Sequence, residues 1–264
     1  MSRNFSSPPE GPLEAQKPSR QWQLALVVVF STIALFFLAE ILGGLLVSIF
    51  PVLQHWSPAR ANQWLSNSVT AQVVYGVLAD GLIVAGVMVL MKWLHWNWST
   101  IGLKKPKLRH IAYGLLAVVP YYLLYIIAIF IATTLVPSLN VNQTQNIGFN
   151  SVHGAFPIIL AFISLVIVPP LAEEIATRGF LYTGLRKWLP KVASALIVSA
   201  LFGAAHLPEG GSAGPLWIGA IDTFTLSLVL VFLREKTGNL WAGITLHAIK
   251  NGVAFISLFI VAGR

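Results

Sequence analysis

Residues 22–50 read WQLALVVVFSTIALFFLAEILGGLLVSIF. This run decides the fold. It carries one ionisable side chain, Glu40, in a stretch longer than the roughly 20 apolar residues that cross a bilayer. Lipid offers backbone amides and carbonyls no partner, so the run must be a helix that satisfies its own hydrogen bonds. It is too long for the apolar core of a signal peptide and is expected to remain as an uncleaved span. Residues 1–21 before it are rich in Ser, Pro and polar groups and lack apolar periodicity, so they are expected to be a disordered cytoplasmic tail.

Similar runs follow at 70–94, 111–136, 155–188 (interrupted at Pro169-Pro170), 191–207, 215–233 and 239–261. The expectation is an all-α, polytopic transmembrane helix bundle of seven spans, with six to eight accommodated. N-terminal transmembrane helices occupy 22–136, and a second transmembrane domain occupies 155–261. Composition agrees. The chain is 56% hydrophobic and 10% charged, where a soluble domain carries about 25% charged residues. With no cysteine, disulfide frameworks, zinc ribbons, thiol nucleophiles and iron–sulfur clusters are excluded.

The formal charge of +8 points to membrane topology, and no nucleic-acid partner is expected. Lys104, Lys105, Lys107 and Arg109 follow the second span, Arg186, Lys187 and Lys191 follow the fourth, and Arg234 and Lys236 follow the sixth. The intervening loops are nearly neutral. Basic loops stay in the cytoplasm, so the N-terminus is placed inside and the C-terminus outside. The partner common to all spans is the lipid bilayer, and the expected location is a bacterial plasma membrane. Trp22, Trp93, Trp96, Trp98, Trp188 and Trp241 sit near span ends, as an interfacial belt does.

Ionisable residues within apolar segments are costly and point to function. The first group is Glu173-Glu174-Ile-Ala-Thr-Arg178. Arg178 follows Glu174 by four residues, on one helical face and in the favoured acid-then-base order. That pairing neutralises Glu174 and leaves Glu173, about 100° around the helix, free for chemistry. The second group is Phe202-Gly-Ala-Ala-His206, with the ring one turn below the imidazole. The third is His247-Ala-Ile-Lys-Asn251, again with four-residue spacing.

Taken singly, each group reads as an ordinary salt bridge or interhelical hydrogen bond. Depth brings them together. With a turn near Trp188–Lys191, Glu173 and His206 each lie about 25 Å along antiparallel helices. From Asn239, the last span reaches His247 after about 12 Å and Asn251 after about 18 Å. All converge in one buried cavity. A helix over 155–188 would be about 50 Å long, so Pro169-Pro170 is expected to kink or break it just before the glutamates.

This set suits activation of water for attack on a carbonyl. Glu173 can be the general base, with His206 holding or sharing the water's proton. His247 and Asn251 can donate to the developing oxyanion. Alternatively Glu173, His206 and His247 could form a three-ligand zinc site with an open position, although no HExxH is present. Of the other intramembrane charges, Glu40 and Asp80 are expected to face the bundle interior. Asp222 is placed near the cavity, and Lys250 has Asp222 or Asp80 as candidate partners. His55, His95, His110 and His153 fall in loops or at span ends and join no constellation. The polar outer loop at Asn140 to Asn150 carries no legible motif.

At these three groups the chain resembles the CPBP intramembrane proteases (CAAX processing and bacteriocin processing), also called the Abi family, whose motifs are EExxxR, FxxxH and HxxxN. All three occur here in order, and Thr237-Gly238-Asn239-Leu240-Trp241 is similar to the family's lead-in to the third. The resemblance covers about residues 160–260. It implies an all-helical membrane domain that hydrolyses peptide bonds of membrane-associated substrates. Eukaryotic relatives cut prenylated CAAX proteins, and bacterial relatives serve bacteriocin immunity, peptide maturation and regulation of membrane partners. Carried over by position, Glu173 is the catalytic base, Glu174 and Arg178 support it, and His206, His247 and Asn251 complete the site. The residue before the motif arginine, commonly aromatic in the family, is Thr177, which bears on pocket shape and substrate preference.

Two other readings use the same residues. A non-catalytic membrane scaffold, conferring immunity or regulation, would keep the fold and tolerate Glu173→Gln. An ion-coupled transporter would show gradient-dependent flux and no peptide product. The absence of an internal repeat argues against the transporter.

Overall fold

The computed structural model describes residues 21–149 and 152–261. The tail read over 1–21 lies outside them except for Gln21, where the first helix starts. Among the described residues there are helices and no strands, and seven helices are long and apolar enough to cross a membrane. The protein is an integral, multi-pass membrane protein.

Helix α1 (Gln21–Leu53) is the first span, and α2 (Pro58–Asn67) is a short amphipathic helix that the hydropathy pattern does not reveal. Pro58 opens α2, where its missing N–H is harmless, and Ser57 caps it by accepting from the Arg60 amide at 3.3 Å. Ser68 caps α3 (Val69–Trp93) in the same way, accepting from Ala71. The third span is divided into α4 (Leu108–Leu116) and α5 (Val118–Leu135). Pro120 accounts for the division, since it has no N–H to return to Leu116 and its ring crowds that carbonyl. His110 is buried in α4 and fastens its start, with Nδ1 accepting from the Lys107 amide at 3.2 Å.

The fourth span is one continuous rod built from five pieces. These are α6 (Ala155–Phe162), a π-helical turn over Ile163–Ile167, α7 (Val168–Glu174), a second π-helical turn over Ile175–Leu181, and α8 (Tyr182–Arg186). Of the kink or break expected at Pro169-Pro170, the break does not occur, because helix continues through both prolines. The prolines sit at the start of α7, directly after the π turn, and the wider turn absorbs the missing amides without ending the helix. The remaining spans are α9 (Lys191–Ala205), running on through a 3₁₀ segment (Leu207–Ala213), then α10 (Trp217–Thr237), and α11 (Trp241–Phe255) with a π-helical tail at Ile256–Val261.

Packing assembles these rods around the fourth span. A core of Val28, Ile83, Val87, Phe180, Leu181 and Leu185 joins α1 and α3 to the second π turn and α8. A second cluster, Tyr121 with Leu226, Leu230 and Leu246, joins α5, α10 and α11. Phe30, Phe37, Phe130 and Phe156 point outward, as they must where the neighbour is lipid. On the basic side, Glu235 gathers three helices. It accepts from Tyr182 at 2.8 Å and Arg186 at 3.1 Å and lies 3.8 Å from Lys191. Gly238 ends α10 in the left-handed conformation that glycine tolerates. The Asn239 side chain then accepts from the Trp241 amide and donates to Lys105 O, fixing the start of α11 against the basic loop.

Candidate active site

The α7–π junction places Glu173 and Glu174 on different faces. Glu174 turns into the protein, where its Oε1 meets Arg178 Nη1 at 2.8 Å, with both side chains essentially without solvent access. Thr177 joins this pair. Its Oγ1 accepts from the same Arg178 Nη1 at 2.8 Å and donates to the Glu173 carbonyl at 2.5 Å. The hydroxyl thus stands where relatives carry an aromatic ring, and it anchors the arginine to the turn that carries the base. Gly243 on α11 makes the room. A β-carbon there would stand 2.8 Å from Glu174 Oε2.

Phe202 organises the other face of the arginine. The guanidinium carbon lies 4.2 Å from its ring centroid, while His206 and His247 pack edge-on against the same ring at 4.8 and 5.9 Å. Such a cation–ring contact stabilises a desolvated guanidinium. His206 ends α9, with Nδ1 2.7 Å from the Phe202 carbonyl. A carbonyl only accepts, so Nδ1 carries the hydrogen and Nε2 of the neutral ring is an acceptor. His247 Nδ1 faces Glu174 Oε1 at 3.3 Å, and its Nε2 stands 3.7 Å from Glu173 Oε2.

That last separation is too long for a direct hydrogen bond and opens onto a cavity of about 270 Å³. The volume falls just under the roughly 300–1,000 Å³ of small-molecule sites. Glu173, His206, His247 and Asn251 line it. Glu174 and Arg178 stand behind them. The six residues read from the sequence therefore come together in two tiers. Asn251 has a second task. Its Nδ2 donates to Leu165 O at 3.0 Å. In an unbroken α-helix that carbonyl would bond the amide of residue 169, which is a proline. The asparagine thus satisfies the carbonyl that Pro169 leaves free, and one of its two amide hydrogens is not available to an oxyanion.

The cavity has walls that motif reading missed. The N-terminal helices supply Glu40, Tyr75 and Asp80, with the Tyr75 hydroxyl donating to Glu40. The outer loop supplies Gln145, Asn146 and Ile147, and the 3₁₀ segment supplies Glu209. Gln145 donates to Glu209 Oε2 at 2.6 Å, and Gln143 donates to the Pro215 carbonyl at 2.9 Å. The loop that carries no motif is therefore a roof. The clue in its sequence is a run of uncharged hydrogen-bonding side chains, Asn142 to Asn146, in a segment without formal charge. Asp80 is half-buried at the cavity wall, whereas Glu40, expected to face the interior, is exposed at the cavity's edge. Lys250 pairs with Asp222 at 3.0 Å.

The donors Glu173 Oε2, His206 Nε2 and His247 Nε2 are of types that zinc accepts. Among the described residues, however, no three His, Asp or Glu side chains are gathered closely enough to hold an ion jointly. Glu173, His206 and His247 line the cavity without gathering as a three-ligand zinc set, so this geometry does not fit that arrangement.

Paired carboxylates and two imidazoles are thus gathered at one cavity within a bundle of membrane helices. Residues 155–253 match the family described as Type II CAAX prenyl endopeptidase Rce1-like, a likeness to the CPBP group of intramembrane proteases. The matched segment spans all three motifs. The first three spans lie outside it. No curated protein and no solved structure matches the chain.

Proposed function

We propose that this protein is an intramembrane endopeptidase that hydrolyses peptide bonds of membrane-associated substrates, CAAX-like or otherwise membrane-anchored, with water activated by Glu173. The observation that carries this reading is Glu173 Oε2 facing His247 Nε2 across 3.7 Å at the cavity wall. Polar groups at that separation can share a water between them. As the water oxygen attacks the scissile carbonyl, Glu173 takes its proton. The carbonyl oxygen gains the negative charge, and the remaining amide hydrogen of Asn251 is a donor to it, while His247 holds the water from Nε2. Collapse of the tetrahedral species breaks the C–N bond, and Glu173 returns its proton to the leaving amine. Neutral His206 accepts at Nε2 and helps hold the water.

Purified protein in detergent or lipid is offered prenylated CAAX and membrane-anchored peptides, and the products are followed by mass spectrometry. General-base catalysis contributes about 10²–10⁴-fold, so Glu173→Gln should lose at least a hundredfold in rate. Cleavage that persists in Glu173→Gln would refute the assignment of the base. A biological activity that survives Glu173→Gln, with no peptide cut by either protein, would favour the scaffold.

A further inference from the structure

Lys250 is the one charged residue of the third motif, and the chemistry above leaves it without a task. It follows His247 by three residues on α11, about 4.5 Å further along the helix axis. Its Nζ lies 3.0 Å from Asp222 Oδ2, and the Tyr121 hydroxyl donates to the other oxygen, Asp222 Oδ1. Both carboxylate oxygens are thus occupied from behind. Lys250 lines the cavity and Asp222 does not. The aspartate holds the ammonium group by one side, and an ammonium has three N–H donors. The remaining ones have no protein acceptor among the described residues, and the residue lines the cavity together with His206, Thr223 and Asn251.

Stability alone does not call for this arrangement. Buried ion pairs do about as well as, or worse than, apolar residues of the same volume. A cation held on its rear side and presented to a cavity beside a hydrolytic centre is built to meet an anion. Glu40, Asp80, Glu173 and Glu209 line the same cavity, yet among the described residues Asp222 alone stands within ion-pair distance of Lys250, and Glu209 is engaged by Gln145.

We infer that Lys250 is the anion-recognising group of this cavity and takes a peptide carboxylate, either the substrate's C-terminus or an acidic side chain close to the cleaved bond. An extended peptide advances about 3.3 Å per residue. The rise from His247 to Lys250, extended by the lysine arm, therefore reads a carboxylate one to three residues from the scissile carbonyl. Asp222 and Tyr121 are positioning residues that aim the ammonium. The inference rests on the protease reading for its meaning.

The test uses three prenylated peptides that differ only at the end: a free C-terminal carboxylate, a C-terminal amide, and an amide whose last residue is Asp. The wild-type ratio of kcat/KM for acid over neutral amide should be about tenfold, the worth of one hydrogen bond to a charged group. Lys250→Gln should bring that ratio near one, and Lys250→Arg should retain it. If Lys250→Gln folds poorly because Asp222 is left unpaired, Lys250→Gln with Asp222→Asn removes both charges together. The same preference is read without chemistry as binding of fluorescent forms of the three peptides to the Glu173→Gln protein. A ratio that survives in the Lys250→Gln proteins overturns the inference and leaves the protease reading standing. If wild type cuts none of the three, the binding ratio alone decides the lysine. Binding of the acids no tighter than of the neutral amide overturns it there. The Asp-ended amide separates a terminal from a side-chain carboxylate.

Discussion

Glu174 never touches the cavity, yet it sets the geometry of what does. It binds Arg178 on one side and His247 on the other, and Gly243 leaves it space. Arg178→Met would leave a buried carboxylate without its cation, a loss of about 3–5 kcal/mol. Thermal unfolding in detergent measures it, and an unchanged midpoint would mean that the pair is not what holds Glu174. Gly243→Ala should cost about 1–3 kcal/mol through overpacking and displace the carboxylate that fixes His247. Activity should therefore fall more steeply than stability, which paired rate and unfolding measurements will show. At this scale the sequence was informative where spacing is helical. The pairing of Glu174 with Arg178 follows from four residues and charge order alone. The part played by Thr177 did not, because its hydroxyl reaches the arginine within a π turn, and nothing in the sequence announces one.

Elements show the same division. Seven apolar runs forecast seven spans, since length and hydropathy are what a bilayer demands. The prolines also marked the right place, although they shape the rod without cutting it. What cannot be read from one segment is the repair supplied by another, and here Asn251 on α11 binds the carbonyl that Pro169 leaves unpaired on the fourth span. Asn251→Ala should cost about 1–3 kcal/mol by orphaning that buried acceptor. Adding Pro169→Ala restores an amide that can close the ladder from within, so the double variant should recover part of the loss. Double-mutant unfolding data that are simply additive would break the link between the two residues. The outer roof was illegible for a related reason. Gln143 and Gln145 find their partners more than sixty positions away.

For the whole molecule, the charge pattern orients the cavity. If the Lys104–Lys107 loop is cytoplasmic, the roof over residues 143–147 faces the opposite side, and substrates reach the site from there. The chain has no cysteine, so single replacements report cleanly. Lys105→Cys should react with a membrane-impermeant thiol reagent only after the membrane is opened, and Asn142→Cys should react in intact cells. The reverse pattern would invert the molecule and the side from which it is fed.

Tyr75 and Asp80 belong to a helix that lies outside the segment shared with the protease family, yet they form part of the chamber in which that segment would work. Two stretches of one chain therefore build the chamber together, one bringing the spaced acids and imidazoles and the other a wall of its own. The shape and polarity of that wall can be altered at Tyr75 or Asp80 without touching any of the three motifs.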